Sequence, residues 1–114
     1  MKTTEFRKEL TKIMPGYNWT VHQSKNHEYM EATGTQSSGF NRISTLRVTR
    51  REHASVRYEV KSAGYGLRAE WLYSTEDGTL ARALRNLQNY YEHMANNYNA
   101  QAAALKIGRV KANA

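Results

Sequence analysis

The chain has 114 residues and no cysteine, which fits one domain of ordinary size and excludes disulfides, thiolate zinc sites and a cysteine nucleophile. Its formal charge of +7 favours polyanionic or acidic partners and excludes an acidic protein that mimics DNA. The charged segment 1–10 lacks the apolar core of a secretory signal, and no stretch approaches the roughly 20 apolar residues that cross a bilayer. We therefore expect a single domain over residues 1–114 in a cytoplasmic protein without membrane contact.

The first predicted element is a short N-terminal helix. Thr3 or Thr4 can cap its start, and Pro15 disfavours helical backbone at the preceding residue and so ends it. Its apolar stripe, at helical spacing, consists of Phe6, Leu10 and Ile13.

Four antiparallel strands are predicted next. Residues 17–22 alternate between apolar and polar side chains, and residues 28–35 return after a turn at Ser24–His27. The last two strands form a hairpin, in which one face is apolar: Leu46, Val48, Val56, Tyr58 and Val60. A hairpin loop centred on His53 sets Arg47 opposite Glu59, whereas a shift by one residue either way sets Arg47 opposite another cation. Because like charges directly opposite destabilise a sheet, we predict the loop centred on His53.

Residues 62–78 read as irregular chain, and a long helix follows them. Thr79 can cap its start, and its apolar stripe consists of Leu80, Leu84, Leu87, Tyr91, Met94, Tyr98, Ala102 and Leu105. A continuous helix over this span is roughly 40 Å long, whereas four strands make a sheet only about 15 to 20 Å across. The helix therefore either overshoots the sheet or breaks near Asn96–Asn97. Overshoot leaves apolar surface that a second copy can cover, so a homo-oligomer through this helix is one expected partner. The predicted fold is α+β, with both helices on one face of the sheet.

Catalytic and metal-binding residues are scarce. The only aspartate, Asp77, lies at a predicted helix start, where capping explains it. Ser62 lacks the glycine two places earlier that a nucleophile elbow requires. The histidines show no i, i+4 pair of a helical metal site: His22, His27, His53 and His93. We predict a protein that is not an enzyme and that uses no metal and no cofactor.

The basic residues cluster on the predicted hairpin. Arginine forks bind phosphates bidentately and stack on bases, so a dense group of arginines favours a nucleic-acid or phosphate-rich ligand. The predicted ligand-binding residues are Arg42, Arg47, Arg50, Arg51, Arg57, Lys61, Arg68, Arg82 and Arg85. A solvated face held by cross-strand ion pairs is the alternative interpretation, and the sequence leaves both open.

The order of elements resembles that of the double-stranded-RNA-binding domain, which runs helix, three strands, helix. The chain departs from that family in three respects. Only Arg82 and Arg85 stand where the family has a lysine cluster, Ser24–His27 has no counterpart of its Gly-Pro and His loop, and one extra strand is predicted. The RNA contacts of that family are therefore not assigned to residues of this chain.

In composition the chain resembles the small, cysteine-free accessory proteins of phages and prophages, which are basic and rich in Tyr and Asn. That resemblance implies a modulator or antagonist of a host system, including bacterial defence, in the host cytoplasm. Two functions follow. The first is a non-enzymatic binding protein whose basic sheet face, with the nearby loops, holds nucleic acid or a nucleotide-like anion. The second is an anti-defence inhibitor that binds a host protein and blocks it.

Overall fold

A computed structural model of the protein describes residues 1–26 and 28–111, so the predicted turn position of His27 lies outside the described residues. The fold is α+β, with a helix at each end of an antiparallel sheet, as the sequence predicts. The elements are α1 (Thr3–Ile13), β1 (Asn18–His22), β2 (Tyr29–Ser38), β3 (Asn41–Glu52), β4 (Val56–Ala63), β5 (Trp71–Asp77) and α2 (Leu80–Lys111).

The sheet has five strands in the order β1-β2-β3-β4-β5, each antiparallel to its neighbours, and not the four that were predicted. The additional strand, β5, lies in the stretch that reads as irregular. Its helix-facing positions are Tyr73, Thr75 and Asp77, and the two polar residues hide the apolar alternation that marks a strand. The Thr75 hydroxyl donates to the Ala83 carbonyl oxygen of α2 at 2.6 Å, so this polar side chain is satisfied at the helix–sheet contact.

The predicted register of the hairpin β3–β4 is wrong by two residues. Arg47 lies opposite Lys61 rather than Glu59, and Arg51 lies opposite Arg57. The hairpin therefore places like charges side by side, the arrangement that the pairwise rule disfavours. Two of these cations contact acidic side chains on strands outside the hairpin, Arg47 with Glu31 and Arg57 with Glu76. A rule applied to one hairpin alone cannot include these contacts.

Both helices pack on one face of the sheet and share one core with it. The buried residues of the helices are Phe6, Leu10, Leu80, Ala83, Leu84 and Leu87. Leu46, Val48, Tyr58 and Val60 face them from the sheet, as the alternation predicts. One close approach requires a glycine: the Trp19 ring lies over Gly34 on the neighbouring strand, where an added Cβ would be 2.7 Å from a ring carbon.

The two helix starts differ in how they are capped. The Thr79 hydroxyl accepts the Arg82 N–H of α2 at 3.3 Å, which confirms the predicted cap. The predicted cap of α1 by Thr3 or Thr4 is wrong, because the helix already begins at Thr3 and the capping position is Lys2, which makes no side-chain capping bond.

The last helix is continuous through Asn96–Asn97 and overshoots the sheet, so the alternative of a broken helix is wrong. Its 32 residues make it roughly 48 Å long at 1.5 Å per residue. Residues 95–110, which we call the arm, are exposed along their whole length. The chain is accordingly extended, with a radius of gyration of 18.3 Å against about 13 Å for a compact domain of this length. Among residues 1–26 and 28–111, no helix is long and apolar enough to cross a membrane.

Candidate interaction surface on the sheet

The second face of the sheet, which we call the open face, has no helix packed on it from residues 1–26 or 28–111. Side chains alternate along a strand, so the residues next to the core-facing Val48 and Val60 point to the open face. On β3 these are Thr45, Arg47, Thr49 and Arg51, and on β4 they are Arg57, Glu59 and Lys61. The register then brings residues of β2 and β5 alongside them.

Charges on the open face form rows that cross the strands. An acidic row runs from Glu31 on β2 past Thr49 and Glu59 to Glu76 on β5. A basic row lies on each side of it, with Arg47 and Lys61 on one side and Arg51 and Arg57 on the other. Three carboxylates therefore stand between four cations, and the face carries a net charge of only +1.

Each carboxylate of the acidic row lies next to one cation. Arg47 Nε is 3.1 Å from Glu31 Oε1, in ion contact but without hydrogen-bond geometry. Arg57 Nε donates to Glu76 Oε1 at 3.1 Å. Lys61 Nζ is 3.8 Å from Glu59 Oε1. Three of the four cations on this face, Arg47, Arg57 and Lys61, thus already lie next to a carboxylate on the same face.

Two arginines of the open face also contact rings. The Arg47 guanidinium carbon lies 5.3 Å from the centre of the Trp71 ring, and that of Arg51 lies 5.9 Å from the centre of the Tyr29 ring. Both distances are within the range of cation–π attraction. Trp71 is exposed, so an incoming group can reach this pair. Tyr73 differs, because it stacks on Tyr90 of α2 with ring centres 3.5 Å apart.

One end of the sheet exposes large apolar side chains. They lie in the β2–β3 turn, near the start of β3, in the β4–β5 loop and at the start of β5. The Gly66 N–H donates to the Arg42 carbonyl oxygen at 2.9 Å, which fastens this loop beside the start of β3. Gly66 has a positive φ of 107°, a conformation that few other residues adopt. We call this surface the apolar end: Phe40, Ile43, Tyr65, Leu67, Trp71 and Leu72.

Of the nine predicted ligand-binding residues, four lie together on the open face: Arg47, Arg51, Arg57 and Lys61. Arg42 and Arg68 lie at the apolar end, in β3 and in the β4–β5 loop. Arg82 and Arg85 are on α2, which packs on the opposite face of the sheet, so the structure does not bring them to the cluster. The open face and the apolar end also contain residues that were not predicted from the sequence as binding residues: Tyr29, Glu31, Phe40, Ile43 and Glu76.

Arg50 points into the fold and not toward solvent. It donates from Nε to the Tyr58 hydroxyl at 3.1 Å and from Nη1 to Glu52 Oε2 at 2.9 Å. The Tyr58 hydroxyl in turn donates to Glu9 Oε2 of α1 at 3.3 Å. Burial raises the pKa of Tyr58, and the hydrogen bond from Arg50 lowers the pKa of Glu52. The Tyr58 hydroxyl therefore ties the hairpin to α1, and Arg50 donates its hydrogen bonds to Tyr58 and Glu52 within the protein.

Within residues 1–26 and 28–111, no three His, Asp or Glu side chains are grouped as a metal site. The chain matches no protein-family model, and no curated protein and no solved structure is significantly similar to it.

Proposed function

We propose that this chain is a non-enzymatic binding protein that docks on a partner protein through the apolar end and blocks the surface it covers. The observation that carries the proposal is the group of six large apolar side chains exposed at one end of the sheet. Exposed apolar groups of this kind mark interaction sites in monomeric proteins. The anti-defence inhibitor that the composition suggests, acting in a host cytoplasm, is a protein of this class.

The side chains of the apolar end are of the types that contribute most to protein–protein affinity. Trp, Tyr and Arg are enriched among the residues whose truncation costs the most binding energy. Trp71 and Tyr65 supply the rings, the Arg47 guanidinium lies over the Trp71 ring, and Arg42 and Arg68 lie in the same strand start and loop. This arrangement favours a partner surface with an apolar centre and carboxylates at its rim.

The open face is less suited to binding a polyanion. Proteins that bind duplex DNA strongly neutralise roughly 6 to 10 phosphates, whereas this face has four cations. Three of those cations contact a carboxylate, and any phosphate that displaced it would leave an unpaired acid close by. This balance ranks nucleic acid second here, although the cluster of arginines in the sequence favoured it.

The second candidate is a single-stranded nucleic acid held across the open face. It is favoured by the two arginines that lie over exposed or half-buried rings, Arg47 over Trp71 and Arg51 over Tyr29. Stacking of bases on aromatic rings and arginine planes is the usual basis of such binding.

Affinity capture distinguishes the two candidates. The tagged protein is incubated with lysate of the organism in which it acts, with and without nuclease treatment, at moderate and at high salt. We expect a protein partner that is retained at both salt concentrations and that is lost with the double variant Tyr65→Ser, Leu67→Ser. The matched control is Ile107→Ser, which removes an exposed apolar side chain far along α2 and should keep the partner. Capture that nuclease abolishes, or that both variants retain equally, contradicts the proposal.

A further inference from the structure

The protein exposes far more surface to solvent than a compact monomer of the same mass does. The accessible surface is 8406 Å², whereas a folded monomer of 13.1 kDa exposes about 6,400 Å². The difference, about 2,000 Å², falls within the area that each partner of an obligate dimer buries, roughly 1,000 to 2,500 Å². The arm is the largest segment that projects from the fold, and all of its residues are exposed.

One face of the arm continues the face of α2 that packs on the sheet. Successive residues of a helix turn by about 100°, which places Tyr98, Ala102 and Leu105 in line with the buried Leu84 and Leu87. The apolar stripe predicted from the sequence therefore runs beyond the core into solvent, where Tyr98 and Leu105 are exposed. Ile107 is also exposed but lies on the opposite side of the helix.

A groove of about 790 Å³ opens beside the base of the arm, between the two helices and over the sheet. Its apolar lining is Ile13, Met14, Leu46, Leu84, Leu87 and Tyr91. Along α2 the groove extends to Glu92 and Ala95, where the arm begins. The groove and the exposed apolar stripe of the arm thus lie next to each other along α2 and form one continuous surface.

We propose that a second copy of this chain covers this surface, with the arm of each copy antiparallel to α2 of the other. Tyr98 and Ala102 then pack on the other arm, and Leu105, at the end of the stripe, reaches the other's groove. A two-fold axis satisfies both copies at once, because each copy has one arm and one groove. Contacts of this kind would cover much of the excess surface. A helix from another protein could fill the groove but would leave the arm exposed.

Charge sets the antiparallel direction. No acidic residue follows Glu92 in the sequence, and the last turns of the arm carry the basic residues Lys106 and Arg109. Parallel arms would bring these basic ends together at the same helix terminus. In the antiparallel dimer, centred on Asn99, Lys106 of one copy lies level with Glu92 of the other, since each is seven residues from the centre. Both side chains are on the groove side of α2, so two equivalent ion pairs form.

Sedimentation over a wide range of concentrations tests the dimer. We expect a dimer for the parent chain and a monomer for the double variant Tyr98→Glu, Leu105→Glu. Both substituted residues are exposed in the monomer, so helicity by circular dichroism should be unchanged. Ile107→Glu is the matched control and should remain dimeric. A monomer at every concentration, or equal dissociation by Ile107→Glu, overturns the proposal.

A charge exchange tests the direction of the arms. Lys106→Glu should raise the dimer Kd by roughly 2- to 30-fold, because two exposed ion pairs are lost. Adding Glu92→Lys restores the pairs with opposite sense and should return the Kd to near the parent value. If the second substitution weakens the dimer further, the antiparallel arrangement is wrong.

Discussion

Arg47 and Lys61 lie directly opposite each other in the sheet, and a carboxylate on the same face stands beside each of them. Arg47 contacts Glu31 of the neighbouring strand, and Lys61 lies 3.8 Å from Glu59 of its own strand. The repulsion between the two cations is thereby offset, which explains how the sheet tolerates this register. The same carboxylates reduce the attraction of the open face for polyanions, which favours a protein as the partner.

Removing the acidic row should convert the open face into a polyanion site. The triple variant Glu31→Gln, Glu59→Gln, Glu76→Gln raises the charge of this face from +1 to +4. We expect weak binding of a single-stranded oligonucleotide by the parent and tight binding by the variant. With four cations available, the salt slope of the variant should approach about 3 in magnitude. The exposed pairs contribute up to about 1 kcal/mol each, so the fold should persist.

Fluorescence anisotropy at several salt concentrations gives both slopes. A parent chain that already binds with a slope near 3 would show that the carboxylates do not neutralise the face. Nucleic acid would then replace the protein partner as the preferred ligand.

Gly34→Ala should destabilise the protein. The added Cβ would lie 2.7 to 2.8 Å from three carbons of the Trp19 ring, so the ring or the strand has to move. Overpacking of this kind costs roughly 1 to 3 kcal/mol of unfolding free energy. Gly108→Ala is the control, because it lies in α2 with no atom within 4 Å of the added Cβ and should not destabilise the chain. Urea denaturation measures both, and equal stability of Gly34→Ala and the parent would contradict the close approach.

Tyr58→Phe should change how stability depends on pH. The pKa of Tyr58 is raised by burial, so the unfolded chain loses this proton at a lower pH than the folded chain does. The contribution of the neutral phenol is complete below about pH 10, the usual tyrosine pKa, and is lost as pH rises through the higher folded pKa. Unfolding free energy should therefore fall less steeply above pH 10 in Tyr58→Phe than in the parent.

At neutral pH the same variant should lose roughly 1 to 2 kcal/mol, because Arg50 and Glu9 lose the hydroxyl that lies between them. Denaturant titrations at neutral and alkaline pH supply both comparisons. Parallel curves for Tyr58→Phe and the parent above pH 10 would show that Tyr58 does not cause the alkaline loss of stability.

Partner binding should shield Trp71 from a neutral quencher. The chain has two tryptophans, of which Trp19 is buried and Trp71 is exposed. Acrylamide should quench the parent more strongly than Trp71→Phe, and addition of the captured partner should remove that difference. Quenching of the parent that is unaffected by the partner would place the contact elsewhere on the protein.

Much of the fold can be predicted from hydrophobic periodicity. The stripe that begins at Leu80 predicts α2, and the alternation around Val48 and Tyr58 predicts the hairpin with its core-facing residues. β5 was missed because Thr75 and Asp77 occupy its helix-facing positions. The register was wrong because it depends on Glu31 and Glu76, which lie on strands outside the hairpin.

The candidate surface was predicted less well than the core. Alternation alone places Arg50 on the same face as Val48, so its inward direction was available in the sequence and was not used. Phe40 and Leu67 are different, since no pattern in the sequence separates an apolar side chain exposed in a loop from one that folds back onto the core. The apolar end therefore needed the three-dimensional structure.

Site-specific photo-crosslinking shows whether a protein partner docks on the apolar end. A photoreactive amino acid replaces Leu67 or, as a control, Thr20 on the distant edge strand. After irradiation in lysate and nuclease treatment, we predict a discrete protein adduct from position 67 and none from position 20. An adduct that nuclease removes, or equal labelling from both positions, would contradict docking of a protein at the apolar end.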